Sequence, residues 1–197
     1  MAVLLNTEYL LKASYIIPKN PTHPEFRCIN IFDSNGKRFY AASDNSMLIE
    51  FNEAIVGEPM PVKNIMIQKP NLTRLGTAKD KYTSLVSNYD NLYQKFFSVE
   101  TNSLIPIVLE NDNKKIETNI LKGTFPSYLN TLTKIQNQGD FTSNIYAYES
   151  MMDKKQLEII ENRLKIKQDA LLFSLTKDII YCMYRTNNMI FLAANFR

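Results

Sequence analysis

Histidine is almost absent from this chain of 197 residues, whose single example, His23, lies in a proline-rich segment. The two cysteines, Cys28 and Cys182, lie far apart within apolar stretches and lack the CxxC spacing of zinc or redox sites. No usual zinc ligand set can therefore be assembled, and His23 is interpreted as a surface-loop residue. We expect both cysteines to be buried free thiols in preference to a disulfide.

Glycine is also scarce, with five residues, and none of them belongs to a phosphate-binding loop of the GxGxxG or GxxxxGK[ST] type. Asp44 and Glu50 are a candidate carboxylate pair, but a turn and a strand end explain these two positions without chemistry. The sequence thus gives no indication of a catalytic, metal or cofactor site. We predict that the protein is not an enzyme.

Long apolar runs are missing as well. No stretch approaches the roughly 20 apolar residues that a membrane helix needs, and Glu8 stands where a signal peptide would be apolar. We therefore expect a cytoplasmic protein without a membrane partner. Hydrophobic residues still make up 45% of the chain, which is enough for a folded core, and the formal charge of +3 is compatible with a nucleic-acid partner.

The N-terminal part reads as a strand, a helix and three strands. The apolar residues 3–5 predict the first strand, and Asn6 or Thr7 can cap a helix that ends by Pro18. Asn35-Gly36 is typical of a tight hairpin turn, because both residues tolerate positive φ. The three further strands are predicted at 26–32, 38–42 and 47–51.

Two further units follow. The second has a strand at 62–67, a polar and partly helical region at 71–97, and strands at 103–110 and 115–121. In the third, a strand at 144–148 precedes a helix from Ser150 to about Lys167, and strands follow at 171–175, 179–184 and 189–194. The recurring order indicates an internal structural repeat.

These patterns predict an α+β protein of repeated βαβββ lobes. The boundaries are 1–58 and 59–135 for two lobes of one domain, and 136–197 for a third, C-terminal lobe.

Three segments, in chain order, resemble the bacterial DNA sliding clamp, the ring-shaped processivity factor of replicative DNA polymerases. The strand at 26–32, the Asn35-Gly36 turn and Tyr40-Ala-Ala-Ser-Asp-Asn-Ser-Met-Leu48 are similar to a strand, hairpin and "ATDGHRL" strand of the family. Asn119-Ile-Leu-Lys-Gly-Thr-Phe-Pro-Ser-Tyr128 is similar to its "RLIDGxFPDY" segment. The terminal FLAANFR stands where the family has a final "VMPMR" strand.

The resemblance implies the sliding-clamp fold, with antiparallel sheets and helices on one face, and a non-catalytic role in which helix cations hold the phosphates of duplex DNA. The implied DNA-binding residues are Lys12, Lys154, Lys155, Arg163 and Lys165. The implied pocket for a peptide of DNA polymerase or another clamp-binding protein consists of Ser43, Asn45, Ser46, Met47, Leu48, Asn195, Phe196 and Arg197. A clamp loader and further copies of the chain are the other implied partners.

The sequence also departs from the family. Asn45-Ser46-Met47 replaces Gly-His-Arg, and Ala194-Asn195-Phe196 replaces Met-Pro-Met, which leaves the peptide preference of the pocket open. A full clamp protomer has six such lobes, whereas this chain has room for about three. Two alternatives therefore stand beside the ring: a clamp-derived module that binds peptides without forming a ring, and an unrelated α+β enzyme.

Overall fold

A computed structural model describes residues 2–18, 21, 23–69, 81–86, 89–111, 114–126, 135, 141–142, 152–175 and 179–196. The strands are β1 Val3–Asn6, β2 Cys28–Ser34, β3 Lys37–Ser43, β4 Met47–Ala54, β5 Asn64–Gln68, β6 Tyr82–Val86, β7 Leu104–Asn111, β8 Lys114–Leu121, β9 Leu172–Leu175, β10 Ile179–Arg185 and β11 Met189–Phe196. The helices are α1 Thr7–Ser14, α2 Tyr89–Ser98 and α3 Lys154–Glu158, which continues as a π-helical turn, Ile159–Leu164. Short 3-10 turns lie at Pro24–Arg27 and Gln168–Ala170.

All eleven strands form one antiparallel sheet in the order β1-β6-β7-β8-β5-β2-β3-β4-β11-β10-β9. The second unit contributes β5 to β8, of which β6 to β8 lie next to β1 at one end of the sheet, and the strands of the third unit lie at the other end. The lobe boundaries at 58 and 135 stay a prediction, since one continuous sheet runs through all three units.

The local sequence determines where α1 and the first hairpin begin. The Asn6 side chain accepts a hydrogen bond from the Tyr9 amide at 3.2 Å, so Asn6 is the cap of α1, which ends at Ser14, earlier than expected. Asn35 and Gly36 have φ of 49° and 73°, the backbone conformation that the predicted hairpin turn requires.

The third helix differs from the prediction at its end. Asp153 caps it by a reciprocal pair of hydrogen bonds with Gln156, whereas Ser150 lies outside the described residues. The helix ends at Lys165, whose φ of 58° is left-handed, and does not extend to Lys167.

Strand β6 was missed by the sequence analysis, which placed it in a polar, partly helical region. Its second residue, Thr83, is fully buried, and the Thr83 hydroxyl lies 2.8 Å from that of Thr7. The Asn111 amide donates to both hydroxyls, at 3.0 and 3.1 Å. Hydrogen bonds offset the cost of burying these polar groups. Strand β6 can therefore be buried without the alternation of apolar and polar residues by which strands are predicted from a sequence.

Alternation along the strands divides the apolar side chains between two faces. The main core lies on the face of the sheet that carries the helices, which we call the helix face. Ile49 and Phe51 of β4 point into this core. The opposite, outer face has two smaller clusters. One contains Cys28, Ala41, Met66, Leu121 and Phe125, and the other contains Leu48, Ile135, Met183 and Leu192.

One buried charge fixes the first hairpin to its surroundings. Arg38, 1% exposed, donates to both carboxylate oxygens of Asp33, at 2.8 and 2.9 Å. It also donates to the carbonyls of Leu4 at 2.7 Å and Glu58 at 2.8 Å. The guanidinium therefore ties β2 and β3 to β1 and to the segment after β4.

Removal of this guanidinium should destabilise the fold strongly, because the Asp33 carboxylate would stay mostly buried without its partner. We expect Arg38→Ala to lower the free energy of unfolding by about 3 kcal/mol in urea denaturation. Lys37→Ala removes the exposed cation next in sequence and should change it by less than about 0.5 kcal/mol. Equal effects of the two substitutions would contradict this assignment.

The two cysteines should resist thiol reagents. Burial raises the pKa of both Cys28 and Cys182 to about 12, and only the thiolate is nucleophilic. We expect no reaction with a disulfide reagent at pH 8 while the protein is folded, and labelling of both thiols in denaturant. Rapid labelling of the folded protein would show that the thiols are accessible.

Candidate functional site

The three helices lie on the same face of the sheet. Leu10 of α1, Leu92 of α2, and Ile160 and Leu164 at the end of α3 are all buried in the main core. The ends of α1 and α3 are neighbours, because the Arg163 guanidinium lies 5.5 Å from the centre of the Tyr15 ring, within cation–π range. The helix cations predicted to hold DNA therefore share one face.

Three of these cations already have acidic partners. Lys12 pairs with Glu8 at 2.6 Å, Lys155 with Asp44 at 2.6 Å, and Arg163 with Glu158 at 3.6 Å.

Lys154 and Lys165 are exposed, and neither forms an ion pair within the described part of the chain. Lys167, exposed two residues further on, was not singled out from the sequence, although its position after α3 adds to the same charge cluster. The cations most available to an anionic partner thus lie around α3.

The pairing of β4 with β11 joins the third unit to the first. Its register runs from Phe51 opposite Met189 to Met47 opposite Ala193. The Ala194 amide then donates to the Ser46 carbonyl at 2.8 Å, which extends the contact into the β3–β4 turn. Strands distant in sequence thereby bring together the two segments that were predicted to form the peptide pocket.

Asp44 organises that turn. One oxygen of its carboxylate accepts hydrogen bonds from the amides of Ser46 at 3.1 Å and Met47 at 2.8 Å, and the other accepts from Lys155. Asn45 is exposed with φ of 76°, and the Ser43 hydroxyl donates to the Met47 carbonyl. The sequence explained Asp44 by a turn position instead of a catalytic role, and its observed contacts position that turn and the start of α3.

Asn195 lies at the same junction. The Asn195 side-chain amide donates to the side-chain oxygen of Gln156 at 2.8 Å, and Gln156 is fully buried. The structure therefore brings Ser43, Asn45, Ser46 and Asn195 into one region.

Met47 and Leu48 do not lie on the same face. Met47 is buried in the main core, and Leu48 belongs to the outer-face cluster with Met183 and Leu192. Consecutive strand residues point to opposite faces, so the expectation that both line one pocket is corrected: only Leu48 faces the outer side. Ile135 belongs to the same cluster and Phe141 packs against it, and Leu48 is only 6% exposed.

Phe196 and Arg197 are the other two residues of the predicted pocket. Phe196 is the last residue of β11, where it pairs with Ile179, and Arg197 lies outside the described residues.

Within the described ranges, no group of three or more histidine, cysteine or acidic residues is arranged to hold a metal ion. His23 is exposed, with its ring 5.9 Å from that of Phe26. None of the described helices is long and apolar enough to cross a membrane. A cleft of about 530 Å³ lies away from the β4–β11 junction, between α2 and strands β7 and β8.

Comparison with solved structures identifies the architecture. The chain superimposes on the DNA polymerase III subunit beta sliding clamp from Bartonella birtlesii with a TM-score of 0.55 and 9% identity, over 98% of this chain and 64% of that one. The beta subunit from DNA polymerase of Streptococcus pyogenes gives 0.53 and 10% over 100% and 65%, and the Bacillus subtilis DNA polymerase sliding clamp gives 0.52 and 14% over 100% and 50%.

This chain has the sliding-clamp fold.

The sliding-clamp fold confirms the predicted fold class and excludes an unrelated α+β architecture. The chain spans less than two thirds of the length of these clamps, with 64% and 65% in the first two. No protein-family model and no curated protein sequence matches the chain.

The Asp44 carboxylate should stabilise the fold at the junction of β4 and β11. We expect Asp44→Ala to lower the free energy of unfolding by about 2 kcal/mol, because two buried amides lose their acceptor. Lys155→Ala removes only the half-exposed ion-pair partner and should cost less than about 1 kcal/mol. Urea denaturation measures both, and an equal loss would assign the effect to the ion pair.

Proposed function

We propose that the protein is a non-catalytic, sliding-clamp-like factor that contacts or encircles duplex DNA and tethers a DNA polymerase or another replication protein. The observation that carries this proposal is the placement of exposed cations around α3 on the helix face of a clamp-like sheet. Phosphate contacts from lysine and arginine bind without reading sequence. A protein held in this way can move along the duplex.

The local charge around α3 supports a DNA-facing role for this helix. Residues 154–167 contain five basic and two acidic residues, whereas the whole third unit, 136–197, contains eight basic and seven acidic residues. The proposed phosphate contacts are Lys154 and Lys165. Arg163, Lys155 and Lys12 are further proposed contacts, each of which would exchange an acidic side chain of the protein for a phosphate. The lost ion pair lowers the net binding free energy of each such contact, so individual contacts are weak and sensitive to salt.

The proposed partner surface lies at the β4–β11 junction, beside the start of α3. A short peptide would contact Ser43, Asn45 and Ser46 of the β3–β4 turn and Asn195 near the end of β11, with Phe196 and Arg197 beyond it. Leu48 is 6% exposed within its cluster, so it supplies apolar surface only where the peptide displaces a neighbouring side chain of that cluster. This arrangement favours a partner that brings its own apolar side chain to the cluster.

A clamp-derived module that binds such a peptide without forming a ring is the second candidate. The contact between the β3–β4 turn and the end of β11 favours it, because this peptide surface lies within one chain and needs no second copy. The two candidates differ in whether a ring forms and in whether duplex DNA is encircled. The peptide-binding surface is the same in both.

The DNA-binding proposal predicts a specific change in salt dependence. Lys154→Gln combined with Lys165→Gln should weaken binding to a fluorescently labelled duplex. It should also reduce the slope of log affinity against log salt by about 2, because each lost phosphate contact contributes about 0.9. Fluorescence anisotropy across a salt series measures this change.

The matched control is Lys37→Gln combined with Lys115→Gln, which removes two exposed cations from strands instead of the α3 region. It should leave the slope almost unchanged. An equal loss of slope in both double variants would show that binding is non-specific attraction to the overall charge. No measurable affinity of the unmodified protein at low salt would contradict the DNA-binding proposal.

A further inference from the structure

Strand β6 is shorter than the strand with which it pairs. The pairing of β6 with β7 stops at Val86 opposite Val108, whereas β7 extends further, to Leu104. Residues 104–107 pair with β8 on one side, and no described strand pairs with them on the other. This uncovered part of β7, which we call the β7 edge, lies within the sheet and not at β1 or β9, which form its two ends.

The strand register shows which backbone groups face this edge. Only two residues separate Asn111 from Lys114, so these paired residues exchange both of their hydrogen bonds across the β7–β8 hairpin. Because hydrogen-bonded pairs alternate along a ladder, the odd-numbered residues of β7 bond to β8, and Pro106 and Leu104 point to the uncovered side. Proline has no N–H. The β7 edge therefore offers two carbonyl groups and the single N–H of Leu104.

The outer face of the sheet is apolar beside this edge. Val86 is 43% exposed and Leu104 is 48% exposed, and between them lie the half-buried Val108 and the exposed Pro106. The intervening residues of β7 are buried in the main core, so these four side chains form a strip on the outer face. An exposed apolar strip beside unpaired backbone groups is typical of a surface that another chain covers.

On the helix face, the same edge borders the cleft of about 530 Å³ between α2 and strands β7 and β8. Leu92, Ile105 and Ile107 give this cleft a buried apolar lining. Lys95 and Glu117 are exposed at the cleft, and neither forms an ion pair within the described residues. The Glu117 carboxylate would repel a nucleic acid, whereas a peptide can carry charges of either sign. The cleft therefore favours a peptide as its occupant.

Pro106 restricts the length of the chain that can pair here. Proline on an edge interrupts the ladder of hydrogen bonds and prevents continuous pairing with a long strand. A short segment needs only the groups of Leu104 and the Pro106 carbonyl. The edge therefore favours a short extended segment over the sheet of a second copy.

We propose that the β7 edge binds a short extended segment of a partner protein, which takes the position beside β7 that β6 leaves uncovered. Alternate apolar side chains of the segment pack on the outer-face strip, and the intervening side chains enter the cleft beneath α2. Main-chain hydrogen bonds supply affinity and the two side-chain surfaces supply specificity, as in other cases of strand addition. This site is separate from the peptide surface at the β4–β11 junction and requires neither a ring nor DNA.

The first test selects phage-displayed random linear peptides on the unmodified full chain and measures the affinity of the enriched peptides by fluorescence anisotropy. They should carry apolar residues at alternate positions. Leu104→Glu should raise their dissociation constant at least about tenfold, because it places a charge within the apolar strip.

Leu175→Glu is the matched control, since Leu175 is likewise an exposed leucine at the end of a strand. It should change the dissociation constant by less than about twofold. Thermal unfolding of both variants separates a lost contact from a lost fold. Equal affinity of the unmodified protein and folded Leu104→Glu for every enriched peptide would overturn the proposal.

Pro106→Val distinguishes strand addition from a contact made by side chains alone. The substitution returns an N–H to the uncovered side of β7, and one additional hydrogen bond should lower the dissociation constant of the enriched peptides about fivefold. A contact made by side chains alone would lose proline surface and weaken. Unchanged or weaker binding to Pro106→Val would therefore contradict strand addition.

Hydrogen exchange measured by NMR tests the same edge without a substitution. The Leu104 amide should exchange rapidly in the free protein and slowly when an enriched peptide saturates it, whereas the amides of Ile105 and Ile107, which bond to β8, should be protected in both states. Strong protection of the Leu104 amide without peptide would show that the edge is already covered and would overturn the proposal.

A substitution at the junction separates the two peptide surfaces. Peptides whose binding responds to Ser46→Arg and not to Leu104→Glu belong to the β4–β11 junction and support the proposed function. A selection that yields only such peptides, or none, would overturn the β7 edge as a binding site. Binding at the β7 edge by a protein without affinity for duplex DNA would support this site and contradict the DNA-binding proposal.

Discussion

The antiparallel pairing of β4 with β11 is the contact on which the rest of the architecture depends. It joins segments more than a hundred residues apart and converts the strands of separate units into one continuous sheet. The same pairing sets α3 beside α1 on the helix face and places Asn195 and the Asp44 turn in one region. Both proposed functional surfaces are therefore consequences of one strand register.

Local chemistry made much of the fold predictable from the sequence. The Asn35-Gly36 turn, the Asn6 cap and the apolar strands of the third unit depend on neighbouring residues, and these signals are strong. Strand β6 was not predictable, because the burial of Thr83 is compensated by Thr7 of α1 and Asn111 of β7, both distant in sequence. The position of Met47 shows a different limit: motif resemblance located the segment, but alternation along β4 decides which residue faces the outer side.

The sequence predicted one set of DNA-binding cations and one set of peptide-pocket residues. The structure adds the side chains with which these residues already interact. Lys12, Lys155 and Arg163 have acidic neighbours that a residue list does not show, whereas Lys154 and Lys165 are more available. The role of Asp44 in the turn depends on the docking of α3, which only tertiary structure supplies.

Retention on DNA of different topology tests the central claim most directly. The protein is bound at low salt to a closed circular duplex and to the same duplex after linearisation, and its release is followed after a step to high salt. Encirclement predicts prolonged retention on the circle and rapid loss from the free ends of the linear duplex, because screening removes the phosphate contacts but not the topological link. Equally rapid release from both would contradict encirclement.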